Sequence, residues 1–330
     1  MRLLISGYGG NSGDVACLYN YNNEVIEWES NVPSLSFMCY DSNSTTLFAV
    51  EENESDGAFH LFTSEGGHSS VKISTSWLCH VTYSAKHQLL IGSSYGNGEI
   101  YYQHVLNGAL RSEANALLQN LQANDRTDLV SRAHCAVLSE CEDYVYSTNL
   151  GLDCLFIYKI TNAELIELAT VRLKSGVGPR HICLSGSFMY VTCEYSNEVI
   201  LLHLESPTII NVVAYFPALP TKYSGDSCCS DLSVTQDNRF LLVANRGANL
   251  ITVFNIASNG FLEAATHFSC YGDWPRYIAL LNDDTILGIC NQRSNYLSLV
   301  AFDSTSGSLL NEVKRVPFEG VSFVSEYIVS

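Results

Sequence analysis

The sequence predicts an all-β, seven-bladed β-propeller with four-stranded antiparallel blades and almost no helix. Three observations carry this. One motif (loop, apolar strand, tight connection, apolar strand, polar turn, third strand) recurs along the chain. Its spacing is that of a propeller blade. Its last copy is too short to stand alone and needs the N-terminus to complete it.

The clearest copy is Gly178-Pro179-Arg180-His181-Ile182-Cys183-Leu184-Ser185 leading into Tyr190-Val191-Thr192-Cys193-Glu194-Tyr195-Ser196-Asn197. Trp274-Pro275-Arg276-Tyr277-Ile278 leading into Ile289-Cys290-Asn291-Gln292-Arg293-Ser294-Asn295 repeats it, and Cys229-Ser230-Asp231-Leu232 leading into Val243-Ala244-Asn245-Arg246-Gly247 lies between them. Aligning each copy on the residue before its first apolar strand gives seven anchors: Ser36, Cys79, His134, Arg180, Ser230, Arg276 and Ser322. Successive subtraction gives steps of 43, 55, 46, 50, 46 and 46 residues. A period of about 40–50 residues built only from strands is that of four-stranded propeller blades. Ser322 leaves too little chain for a full blade. Arg2–Tyr8 and Val15–Asn20 are apolar enough to supply the missing strands, so both termini are expected in one sheet that closes the ring and protects its edges.

Length alone allows two domains of about 150 residues, but a closed ring predicts a single domain over 1–330. Hydrophobic residues make up 47% of the chain, ordinary for a folded protein, and no apolar run of about 18 residues predicts a membrane helix. Met1–Gly7 reads as a strand rather than the apolar core of a signal peptide. The twelve cysteines contain no Cys-x-x-Cys pair, and several sit inside apolar strands, where they act as small core residues. Reduced thiols and a cytoplasmic location are therefore expected. No metal-ligand set is visible, and no cofactor is predicted. The net charge of −17 argues against nucleic-acid and anionic-membrane partners. Yet of eleven arginines, four fall inside the motifs: Arg180, Arg246, Arg276 and Arg293. The chain is acidic overall and concentrates cations in one place.

Equivalent positions of successive blades form rings. One ring holds His134, Arg180 and Arg276. A second, just after each second strand, holds Leu150, Glu194, Arg246 and Gln292, each three residues before a turn-forming Asp153, Asn197, Asn249 or Asn295. His134, Arg180, Glu194 and Arg246 are thus expected to converge at one opening. Gly7-Tyr8-Gly9-Gly10-Asn11-Ser12-Gly13 fits neither the dinucleotide nor the Walker pattern and is read as a loop between strands. No Gly-x-Ser-x-Gly elbow points to a serine hydrolase.

The Gly-Pro-Arg-His block, the Glu194 block and Asn245-Arg246-Gly247 resemble the seven-bladed lactonase family, which includes propeller-type 6-phosphogluconolactonases and 3-carboxymuconate cyclases. The resemblance covers most of the chain and implies that His134, Arg180, Glu194 and Arg246 are the active-site residues. Two features depart from it. The family's His-Pro-His is Arg132-Ala133-His134 here, and Gly108–Ser131 replaces a short linker and is expected to hold a helical turn.

The residue types suit lactone opening without a metal. Glu194 would activate water, its pKa raised by a partly dry site. Arg180 and Arg246 would stabilise the oxyanion or bind an anionic group, and His134 would protonate the departing ring oxygen. His181, Arg276, Gln292 and Arg293 complete the candidate substrate-binding set. Plainer readings stay open: Arg180 also has the shape to tie blades through backbone carbonyls, and Glu194 to form an ion pair. The expected substrate is a small anionic sugar lactone resembling 6-phosphogluconolactone. A carboxymuconate-type cyclase and a non-enzymatic binding scaffold are the alternatives.

Overall fold

The computed structural model describes residues 1–9, 15–121 and 129–328. Gly10–Gly13 of the glycine-rich loop lie outside the described residues. The chain forms seven antiparallel sheets, one per blade, and the only helical element among the described residues is a single 3-10 turn, Gln292–Ser294.

Blade 1 runs from Leu35–Asp41 to His68–Ile73, blade 3 from Ala133–Leu138 to Glu164–Arg172, and blade 4 from Pro179–Ser185 to Ile209–Pro217. Blade 5 runs from Cys228–Val234 to Leu262–Ser269 and blade 6 from Pro275–Leu281 to Ser308–Pro317. Each is a four-stranded meander. In blade 2, two short strands, Ala109–Leu110 and Asn115–Leu118, both pair with the third strand Glu99–Leu106. The described part of 108–131 is thus extended, not helical. Leu117 and Leu121 pack against the core shared by blades 2 and 3 while Leu118 is exposed, and that alternation selects a strand.

Blade 7 is closed as the sequence requires. Val321–Glu326 pairs with Arg2–Gly7, which pairs with Ala16–Asn20 and then Val25–Ser30. By contact density the chain divides into two compact units. One holds Met1–Pro33, Arg180–Glu205 and Asn211–Tyr327, and the other Ser34–Pro179, Ser206–Ile210 and Ile328. Both are built alike: apolar faces of consecutive sheets bury one another, as in the Phe156–Ile91 cluster of blades 2 and 3 and the Leu241–Tyr190 cluster of blades 4 and 5.

The seven anchors all fall at the start of an innermost strand, and the structure gives a reason. In blades 1, 2, 3, 5, 6 and 7 the register between the first two strands of the motif slips at or beside the anchor, for example between Ala133 and Cys135 and between Pro275 and Tyr277. The anchor is the extra residue of a β-bulge, which bends the strand and re-aims a side chain. The turn formers also act as expected. Asp153, Asn197, Asn249 and Asn295 all adopt φ between 52° and 55°. Each reaches the loop that enters the next inner strand: Asp153 accepts from the Gly176 and Gly178 N–H groups, Asn197 donates to the Ser227 carbonyl, Asn249 accepts from Trp274 N–H and Asn295 from Gly320 N–H. Together, bulge and latch fix the backbone on which the charged residues sit.

Candidate active site

Three of the four residues expected to converge do so within one unit. Arg180, on the blade 4 inner strand, and Arg246, at the end of the second strand of blade 5, both grip Glu194. Arg180 Nε lies 3.1 Å and Arg246 Nη2 2.7 Å from the same carboxylate oxygen, Oε2. Arg180 is 2% exposed and Arg246 5%, whereas the Glu194 side chain keeps 19% of its surface open.

Blade 5 supplies the backbone that holds both cations. Arg246 Nη2 donates to the Cys229 carbonyl and Arg180 Nη1 to the next carbonyl, Ser230. The third residue in that run, Asp231, turns its carboxylate to the blades on either side. Its Oδ1 lies 2.8 Å from His181 Nδ1, and its Oδ2 accepts from Ile278 N–H at 2.9 Å. Asn-Arg-Gly is explained locally. Asn245 bonds the Thr252 hydroxyl and the Cys229 thiol, so the strand end is fixed. Gly247 then turns at φ 80°, where an added Cβ would stand 2.5 Å from the Asp226 carbonyl oxygen.

Burial pushes the Glu194 carboxyl up, but Arg246 and Arg180, with Arg276 beyond them, outweigh it and hold the group below the usual carboxylate range. This corrects the expectation of a raised pKa: the dryness is present, and the charges beat it. Burial and the neighbouring Arg246 bring Arg180 down to about 10, still protonated at neutral pH. Burial lifts Asp231 to about 7 against the Ile278 N–H bond and the Arg180 charge, while burial and Arg180 drive His181 well down.

The candidate binding residues separate. His181 is buried on Asp231 with its ring edge toward Tyr277. Arg276, half-buried, stands over the Tyr8 ring at 5.1 Å. Gln292 and Arg293 lie in the 3-10 turn after the second strand of blade 6, with Arg293 exposed and stacked on Trp274 at 3.4 Å. Arg246 also faces Trp274, at 5.5 Å. His134 occupies the bulge of blade 3 in the other unit, buried, with the Tyr95 ring edge-on.

Sequence reasoning missed Asp231 and Trp274. A signal for Asp231 was present: it and His181 both follow an anchor, one blade apart, and are polar where Phe37 and Phe323 are apolar. An open groove of about 820 Å³ on blades 6 and 7, lined by Tyr19, Ile26, Lys314 and Phe318 among others, is a different place. Its Lys314 is already paired with Glu24 at 2.7 Å and stacked near Tyr19 and Tyr21.

Similarity to known proteins places this seven-bladed propeller in the lactone-hydrolysing class of enzymes. The chain belongs to the seven-bladed β-propeller lactonase family: the family model described as "Lactonase, 7-bladed beta-propeller" matches residues 10–325. It is 27% identical over 297 residues to a 6-phosphogluconolactonase of Bacillus subtilis, covering 86% of this chain and 85% of that one. In fold it is similar to a periplasmic gluconolactonase of Pseudomonas aeruginosa, with TM-score 0.88 and 22% identity over 100% of this chain and 99% of that one. A putative 6-phosphogluconolactonase of Bacteroides uniformis superposes with TM-score 0.87 at 19% identity, covering 98% of both chains. All twelve cysteines are free, and no helix among the described residues is long and apolar enough to cross a membrane.

Proposed function

We propose that the protein hydrolyses a sugar lactone resembling 6-phosphogluconolactone, without a metal, at the Arg180–Glu194–Arg246 cluster. The observation that carries this is the one-sided grip on Glu194. Both arginines hold Oε2, which leaves Oε1 to orient a water. Water attacks the lactone carbonyl carbon as Oε1 takes its proton, and the carbonyl electrons move onto oxygen. Guanidinium N–H groups stabilise that oxyanion. Its collapse breaks the bond to the ring oxygen, which leaves with a proton as the alcohol. A carboxylate kept strongly acidic is a weak base, so Glu194 works by position and permanent ionisation more than by proton affinity. The four motif arginines, Arg180, Arg246, Arg276 and Arg293, outnumber the carboxylates of Glu194 and Asp231, which suits an anionic substrate.

The experiment is a panel of phosphorylated and unphosphorylated sugar lactones, with spontaneous opening subtracted. Glu194→Gln is expected to lower kcat by about 10²-fold or more with the fold retained. Unchanged turnover at unchanged melting temperature would falsify the role of Glu194. The proton-donor role of His134 comes from the family resemblance, and it predicts a loss of about 10²-fold in His134→Ala. A full-speed His134→Ala enzyme would transfer that role to water.

A further inference from the structure

Arg293 is an unusual cation for so acidic a chain. There are 34 acidic and 17 basic residues, yet among the described residues no carboxylate or carbonyl engages the Arg293 side chain. Its partner is an aromatic face instead, the Trp274 ring, with the guanidinium carbon 3.4 Å from the ring centre. Stacking holds the planar fork in one orientation and leaves its N–H edges free, the state in which arginine recognises oxyanions.

The platform is itself held at a cost. Trp274 has φ 64°, a left-handed conformation that bulky residues avoid. The same left-handed step before an inner strand is made by Ser34 at φ 55°, Trp77 at φ 56°, Gly178 at φ 65° and Gly320 at φ 61°, so the fold imposes it and glycine is one of the residues that takes it. Glycine would satisfy the backbone at this position, and the chain carries tryptophan. Strain of this kind persists where the surroundings over-determine it, and here they do. Trp274 N–H donates to Asn249 Oδ1 at 2.9 Å, Asn249 Nδ2 donates to Asp273 Oδ1 at 2.8 Å, and Asp273 N–H donates to Ser294 Oγ at 2.8 Å. Arg293 N–H in turn donates to the Asp273 carbonyl. The loop bearing the indole and the turn bearing the arginine are bonded to each other. Arg246, which grips Glu194, faces the same indole at 5.5 Å.

We infer that Arg293, held flat on Trp274, is the specificity-determining residue that reads a phosphate ester on the substrate, remote from the carbonyl that reacts near Glu194. This deepens the lactonase reading and rests on it for the word substrate. The binding claim is tested separately from turnover.

Isothermal titration with 6-phosphogluconate, gluconate and glucarate separates the contributions, since all three carry the carboxylate of an opened lactone and only the first carries a phosphate. Wild-type protein is expected to prefer 6-phosphogluconate to gluconate by about 10-fold or more. Arg293→Ala should remove most of that preference, and Arg293→Lys should keep part of it. Trp274→Gly, which suits φ 64°, should also remove most of it without lowering the melting temperature. If Trp274→Gly unfolds, the two Arg293 variants decide alone. The inference is overturned if wild type shows no preference, if Arg293→Ala keeps it in full, or if glucarate binds as tightly as 6-phosphogluconate. A wild-type preference lost in Arg293→Ala, with no lactone opened above the spontaneous rate, sustains the phosphate site and removes the hydrolytic reading.

Discussion

The anchor near the start of each inner strand is Ser36, Cys79 or His134 in one compact unit, and Arg180, Ser230, Arg276 or Ser322 in the other. In blades 2 and 3 the distorted backbone looks after itself. The Cys79 thiol lies 3.4 Å from the His134 carbonyl, and His80, the next residue, meets the Cys135 thiol. In blade 5 the same distortion turns the consecutive Cys229 and Ser230 carbonyls and the Asp231 carboxylate toward Arg246, Arg180 and His181. The bulge recurs in blades 1, 2, 3, 5, 6 and 7, and the blades differ in the side chains they place beside it. A cation at the anchor is not sufficient: Arg180 is sealed against Glu194, while Arg276 at the equivalent anchor is half-buried over Tyr8.

Arg180→Ala should break this contrast most severely. It removes a buried guanidinium from a carboxylate that keeps only Arg246, at an expected cost of about 3 kcal/mol in unfolding free energy and a large loss of turnover. Arg276→Ala should cost about 1 kcal/mol or less. Urea melts of the two variants side by side measure the difference, and equal costs would show the two anchors to be equivalent after all.

The pH profile sharpens the comparison. Glu194 sits below its ordinary value of 4.5, and the proposed mechanism uses its ionised form. The acid limb of kcat/KM should therefore fall below pH 4.5. The sign for stability is the same: the arginine–Glu194 pairs contribute fully above the unfolded value, and that contribution is lost as pH falls through the lower folded one. In Arg180→Ala both limbs should move up in pH. An acid limb near 6 in the wild type would show that dryness wins over charge.

Cys79→Ser should do least. It gives blade 2 the residue that blades 1, 5 and 7 already carry, and a shift of about 1 kcal/mol or less with unchanged turnover is expected. A large fall in activity would mean that the neutral bulges take part in the chemistry.

The repeat, the blade count and the closing blade were legible because strand starts and turn formers are local signals. The bulges were not, since a register slip belongs to two strands at once. Arg180, Glu194 and Arg246 were legible as residue types in equivalent places. The direction of the Glu194 shift was not, because burial and three guanidinium charges oppose one another and only their distances decide. Trp274 stood in view inside Trp274-Pro275-Arg276, but its left-handed backbone and its two arginine neighbours, Arg246 and Arg293, appear only in three dimensions.

Leu3 lies opposite Glu326 in the closing blade, 326 − 3 = 323 positions apart along the chain. During synthesis at about 5–20 residues per second, the Arg2–Gly7 strand waits on the order of tens of seconds before its inner neighbour leaves the ribosome. Throughout that interval it presents an unpaired edge, a template for any strand of matching register. On a crowded polysome the matching strand nearest in time is Val321–Glu326 of the chain ahead. Exchange of that single strand between nascent neighbours gives a linked pair of rings, each with an intact Arg180–Glu194–Arg246 cluster, so that a swapped dimer would show full activity and reveal itself only by mass.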